Sequence, residues 1–142
     1  MPSPAVVLDT NVLVAAGFNP RSASAKIVEA VKRGQVRVVW NEATRREIER
    51  IMRHIPLLRA SAVSDLFRPE DSYTAATDLE RFASIPDPDD RKLAALAQAT
   101  GATLISNDDH LLRHRDHRDL TVLTPSAFWK PQQRSNPAQG RT

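Results

Sequence analysis

The sequence predicts an α/β fold, a three-layer sandwich around a central, mainly parallel sheet. Three observations carry this. Short β-branched and aliphatic runs of strand length alternate along the chain with longer amphipathic stretches of helical period. Strands separated by helices pair in parallel, with helices covering both faces of the sheet. Finally, 142 residues suit one domain with a real core and leave little room for a second.

Taken in order, Ala5–Leu8 (AVVL) reads as a short buried strand ending at Asp9. SASAKIVEAVKRG reads as a helix, with Ala25, Ile27, Val28 and Val31 at helical spacing, a serine start and Gly34 as stop. Val36–Trp40 (VRVVW) is a second strand. Asn41 caps EATRREIERIMRHI, whose apolar stripe is Ile48, Ile51, Met52 and Ile55, and Pro56 ends it. LLRASAVSDLF and SYTAATDLERFA are expected to be two further helices, and the prolines of IPDPDD mark a loop. DRKLAALAQATG is a helix with Leu93, Leu96 and Ala97 inward and Gly101 as its C-terminal stop. ATLIS is a strand, DDHLLR a helical turn, LTVLT a last strand, and PSAFW a helical turn opened by proline at its first position. From Lys130 to Thr142 nothing beyond two prolines and an alanine could anchor the chain, so a domain of residues 1–129 followed by a mobile tail is expected.

Composition narrows the function classes. With no cysteine, there is no disulfide framework, thiolate zinc site or cysteine nucleophile, which fits a reducing compartment. The start lacks a basic segment followed by a long apolar one, and the longest apolar run, Val12–Phe18, is too short to span a bilayer. A cytoplasmic protein is expected, with no membrane partner. Net charge is only +3, but it is unevenly spread. Between Arg21 and Arg59 ten Lys or Arg face four acids, whereas between Asp65 and Asp90 eight acids face two Arg. The basic stretch, with Arg45, Arg46, Arg50 and Arg53 foremost, reads either as a phosphate-contacting surface for RNA or as a solvated helix face of Arg–Glu pairs.

Open parallel sheets place their sites at the carboxyl ends of the strands. Asp9 ends the first strand and Asp108 closely follows the strand ATLIS, so the two share a crevice if those strands are neighbours. Asp90 precedes Leu93 by three residues and Ala94 by four, which puts it on their inward face near a helix start. Glu47, four before Ile51, flanks the apolar stripe of its helix. Four carboxylates in one pocket cannot all stay ionised without a cation, and an all-oxygen donor set suits Mg²⁺ or Mn²⁺. Such a site serves phosphoryl chemistry. Thr10, Asn11 and Ser106 are placed to bond the freed backbone and orient the acids. Each acid also has an ordinary use: Asp9 and Asp108 as cap or turn residues, Asp90 as a helix-dipole partner with Asp87 or Asp89 inward instead, and Glu47 paired with Arg46 or Arg50.

Together these segments resemble a PIN domain. VVLDTNVLVAA is similar to that family's first motif and EATRREIERIM to its second, with Glu47 at the matching acid. DPDDRKLAALAQATGATLISNDDHLL is similar to the third and fourth, with Asp90 and Asp108 matching, and LTVLTPSAFW to the closing strand and turn. The likeness runs from about Val6 to Trp129. It implies a flavodoxin-like three-layer fold and a Mg²⁺- or Mn²⁺-dependent endoribonuclease whose metal-holding and catalytic residues are Asp9, Glu47, Asp90 and Asp108. In kind it is closest to the toxin half of VapBC-like toxin–antitoxin pairs, which implies a homodimer or higher oligomer, an RNA substrate and an antitoxin partner. At the fourth motif SNDD leaves Asp109 beside Asp108, and Asp108, nearer the strand, is the expected ligand.

Other readings are a non-catalytic PIN-like RNA-binding module and a phosphatase of the haloacid-dehalogenase type. The second needs an acid two residues after Asp9, where this chain has Asn11. His110 and His114 stand four apart, a metal-ligand spacing without a third ligand nearby, and are read as surface residues. Trp40 and Trp129 are read as core or subunit contacts.

Overall fold

A computed structural model describes residues 3–55, 64–113 and 119–134, the last four of these by backbone alone. The elements are β1 (Ala5–Leu8), α1 (Thr10–Phe18), α2 (Ala23–Lys32), β2 (Arg37–Val38), α3 (Glu42–Arg53), α4 (Pro88–Thr100), β3 (Thr103–Ile105), α5 (Asp109–Leu112), β4 (Val122–Leu123) and α6 (Pro125–Arg134), with 3₁₀ turns at Pro69–Asp71 and Glu80–Phe82.

The four strands form one sheet in the order β2-β1-β3-β4, and every pairing is parallel. β1 lies inside it, with Val6 opposite Val38 on one side and opposite Thr103 on the other. Because side chains alternate along a strand, the pleat splits the core into two layers. Val6, Leu8 and Ile105 face a cluster with Ile27, Val31, Ile48, Met52 and Phe128. Val7, Leu104 and Val122 face another with Phe82, Leu93, Leu96 and Leu111. The first cluster takes α1, α2, α3 and α6, and the second takes α4 and α5, giving three layers. α3 also packs against α4, and the chain between them crosses from one layer to the other.

Capping fixes the helix starts. The Ser22 hydroxyl accepts the Ala25 N–H at 3.1 Å and opens α2. Asn41 and Thr44 form a reciprocal capping box at α3, with the Thr44 N–H on Asn41 Oδ1 at 2.9 Å and the Asn41 N–H on Thr44 Oγ1 at 3.1 Å. α4 begins at Pro88, with Asp87 as its cap, and ends at Gly101, whose φ of 75° is left-handed and costs glycine nothing.

Three expectations are corrected. Residues 72–83 are not an α-helix. Ser72 pairs with Trp40, the Tyr73 N–H donates to the Trp40 carbonyl at 2.8 Å, and only a 3₁₀ turn follows at Glu80–Phe82. That segment has no apolar stripe: Phe82 alone is buried, while Ala75, Ala76 and Leu79 are exposed. Its backbone groups therefore bond to a neighbouring segment rather than to each other. β2 is shorter than Val36–Trp40, because Trp40 leaves β1 to pair with Ser72. The final helix extends to Arg134 rather than making a single turn over PSAFW. The helix expected over 57–67 falls mostly outside the described residues, as do His114 and residues 135–142 of the expected tail.

Candidate functional site

The chain fills β1 and then β2 on one side of it, and only later adds β3 on the other side. The order in which strands are added therefore reverses between β1 and β3. At such a switch point the connections leave in opposite directions and open a crevice beyond the strand ends. Asp9 follows β1 directly, and its N–H still continues the ladder, donating to the Ile105 carbonyl at 3.1 Å. Asp108 follows β3 by three residues. Asp90 comes from the first turn of α4.

These three acids can place one carboxylate oxygen each within 4.8 Å of one another, a spacing that fits a single cation. Asp9 and Asp90 are buried, at 6% and 7% exposure, and Asp108 is half-buried. The Ser106 hydroxyl, fully buried, joins two of the three. It donates to Asp9 Oδ2 at 2.7 Å and accepts the Asp108 N–H at 2.9 Å. Asp9 Oδ1 accepts the Asn11 N–H at 3.4 Å, and Asp108 Oδ1 accepts the His110 N–H at 2.7 Å. Both aspartates are thus helix caps as well as site residues, which orients each carboxylate from the backbone. Thr10 is buried beside them and also lines the cleft.

Electrostatics set the state of the cluster. Burial first, then the charges of Asp9, Asp108, Asp87 and Asp89, push the Asp90 carboxyl up to about 7 from an ordinary 3.8. Burial also raises Asp9, and Asp108 adds to this, while the hydrogen bonds from Ser106 and Asn11 pull the other way. The cleft holds about 170 Å³, several times the roughly 30 Å³ a water molecule occupies in the liquid, so a cation with part of its hydration shell fits. Its donors are all oxygen, as hard divalent cations prefer.

Glu47 lines the same cleft but stands outside the trio. Arg50 holds its carboxylate, Nη2 to Oε1 at 2.6 Å and Nε to Oε2 at 3.3 Å. Asp109 is exposed, away from the cleft lining. Asp87 and Asp89 do line it, the Asp89 N–H donating to Asp87 Oδ1 at 2.9 Å. Arg45 bridges Glu42 at 2.8 Å and Glu49 at 3.1 Å and lies over the Trp40 ring at 5.8 Å. Arg46 reaches Glu42 at 3.5 Å, and Arg53 is exposed in the last turn of α3. Trp40 packs edge-on to Phe67 and donates Nε1–H to the Arg68 carbonyl at 2.8 Å, a packing residue as expected. The sequence reading missed Lys92, which also lines the cleft. The signal was available: a cation two residues after Asp90 and three after Asp89.

A parallel α/β sheet with a carboxylate cluster at its switch point defines a class of proteins able to hold a divalent cation and act on phosphate esters. A family model for the PIN domain matches residues 5–110, and the chain belongs to that family. PIN domains are generally metal-dependent nucleases. No curated protein and no solved structure matches the chain. Among the described residues, no helix is long and apolar enough to cross a membrane.

Proposed function

We propose that the protein is a Mg²⁺- or Mn²⁺-dependent endoribonuclease, the toxin of a type II toxin–antitoxin pair. The observation that carries the nuclease reading is the convergence of Asp9, Asp90 and Asp108, from three separate elements, into an all-oxygen cluster where Asp90 is pushed up to about 7. Such crowding is relieved by a cation, and these three side chains would hold it. When bound, the cation supplies Lewis-acid activation of the attacking water and offsets charge on the phosphodiester. Ser106 fixes Asp9 Oδ2, the Asn11 N–H holds Oδ1, and Asp108 is fixed by its own helix turn, so these ligands are set before RNA arrives. Glu47, on the wall of the cleft, would join them by exchanging Arg50 for the cation. The exposed cations of α3, Arg46 and Arg53, draw the RNA backbone toward the site, whereas Arg45 is engaged by Glu42 and Glu49 and Arg50 by Glu47.

The toxin role, the antitoxin partner, a homodimeric assembly and cytoplasmic action follow from the closest kind of PIN domain that the motifs resemble. The deciding experiment is cleavage of single-stranded RNA with Mg²⁺ or Mn²⁺ and with EDTA. Metal-dependent internal cuts are expected, and intact RNA with either metal would overturn the nuclease reading. Growth arrest on expression, relieved by co-expressing the neighbouring small gene, tests the toxin role.

A further inference from the structure

We propose that Lys92 grips the RNA backbone at the mouth of the cleft, on a phosphate neighbouring the one that is cut. The inference rests on the ribonuclease reading and adds a substrate contact to it. Among the described residues that line the cleft, six are carboxylates and one is a cation, Lys92. An RNA strand entering so acidic a groove is repelled everywhere except at a bound cation and at this ammonium.

Placement separates those two roles. The metal-holding acids form the floor, with Asp9 and Asp90 buried, whereas the Lys92 side chain is 38% exposed. It therefore meets the strand at the rim and not over the reacting phosphorus. Its partner is Asp89, at 3.2 Å and 39% exposed, and such an open ion pair contributes little to stability. The ammonium is free to exchange that carboxylate for a phosphate oxygen. Neighbouring cations have other tasks: Arg91 donates Nε–H to the Ile85 carbonyl at 2.6 Å, and Arg50 holds Glu47.

The test uses the full chain with Mg²⁺ and compares Lys92→Gln and Lys92→Arg with wild type. In cleavage of single-stranded RNA, Lys92→Gln is expected to raise KM about tenfold and leave kcat within about twofold, the signature of a contact made equally in ground and transition states. In an Asp9→Asn background the slope of log affinity against log salt should shrink by about 0.7, one phosphate on a single strand. Lys92→Arg should restore both. The Mg²⁺-induced rise in Tm should match wild type, because Lys92 does not hold the cation. An unchanged KM and salt slope in Lys92→Gln, with wild type cleaving normally, overturns the Lys92 assignment alone. A lost Mg²⁺ response overturns it too, by assigning Lys92 to the metal site. If wild type neither cleaves RNA nor binds it in a salt-dependent way, the ribonuclease reading falls and this inference falls with it.

Discussion

Asp9 carries two tasks that one substitution separates. Its carboxylate caps α1 through the Asn11 N–H, and it also points into the acid cluster. Asparagine is about as good a cap as aspartate. Asp9→Asn should therefore stay folded, and the loss of one crowded charge should leave the protein in EDTA as stable as wild type or slightly more so. RNA cleavage should fall by at least roughly a hundredfold, because an anionic ligand is gone at constant volume. A cleavage assay paired with a melt in EDTA reads both, and full activity in a folded variant would sink the site. Ser106 makes a contrasting forecast. Ser106→Ala leaves the Asp9 oxygen and the Asp108 N–H without their shared hydroxyl in a fully buried position. It should cost about 1–3 kcal/mol of stability, seen in denaturant melts, as well as activity.

At the scale of elements, α3 shows what the sequence reveals and what it hides. Its cap and its buried Ile48 and Met52 follow from local spacing and were legible, whereas the helix ends at Arg53, two residues short of the expected Ile55. The use of its arginines was not, because charge pairing depends on which rotamers meet. Arg45 lies over Trp40 between two glutamates, while Arg46 stays 77% exposed. Arg45→Ala should thus lower Tm with little effect on RNA affinity, whereas Arg46→Ala combined with Arg53→Ala should weaken RNA binding and reduce its salt slope without lowering Tm. Titrated binding and melts on both variants separate the two outcomes. The same contrast explains residues 72–83, where a helical reading failed. Extended pairing of Ser72 and Tyr73 with Trp40 is a contact between distant segments, which no local pattern announces. Asp9, Asp90 and Asp108 were legible because strand ends and helix starts fix their direction. Lys92 was not, since a lysine in a helix reads as surface until the groove beside it is seen.

For the whole molecule, the acid cluster ties stability to pH and to cations. Asp90 titrates near 7 in the fold and near 3.8 when unconstrained, so between those values the folded chain binds more protons than the unfolded one. Stability of the metal-free protein should fall as pH rises through this window, by on the order of 2 kcal/mol between pH 5 and pH 8. Asp90→Asn should abolish that part of the slope, which melts in EDTA across the range would show. A divalent cation must displace the same proton, so its stabilising effect should be weaker at pH 6 than at pH 8. At pH 8, a hundredfold excess over its dissociation constant should add about 2.7 kcal/mol, and identical melts across a millimolar titration would count heavily against the site. The position of β1 inside the sheet has another consequence, for synthesis. Asp9 leaves the ribosome well before the hydroxyl that holds it, which belongs to a residue ninety-seven positions later, just past the strand β3 that pairs beside β1. Parallel pairings across so long a separation form late and slowly. A nascent or truncated chain that stops short of residue 106 has the first acid but nothing to set it against, so the acid cluster is assembled only after Ser106 has been made.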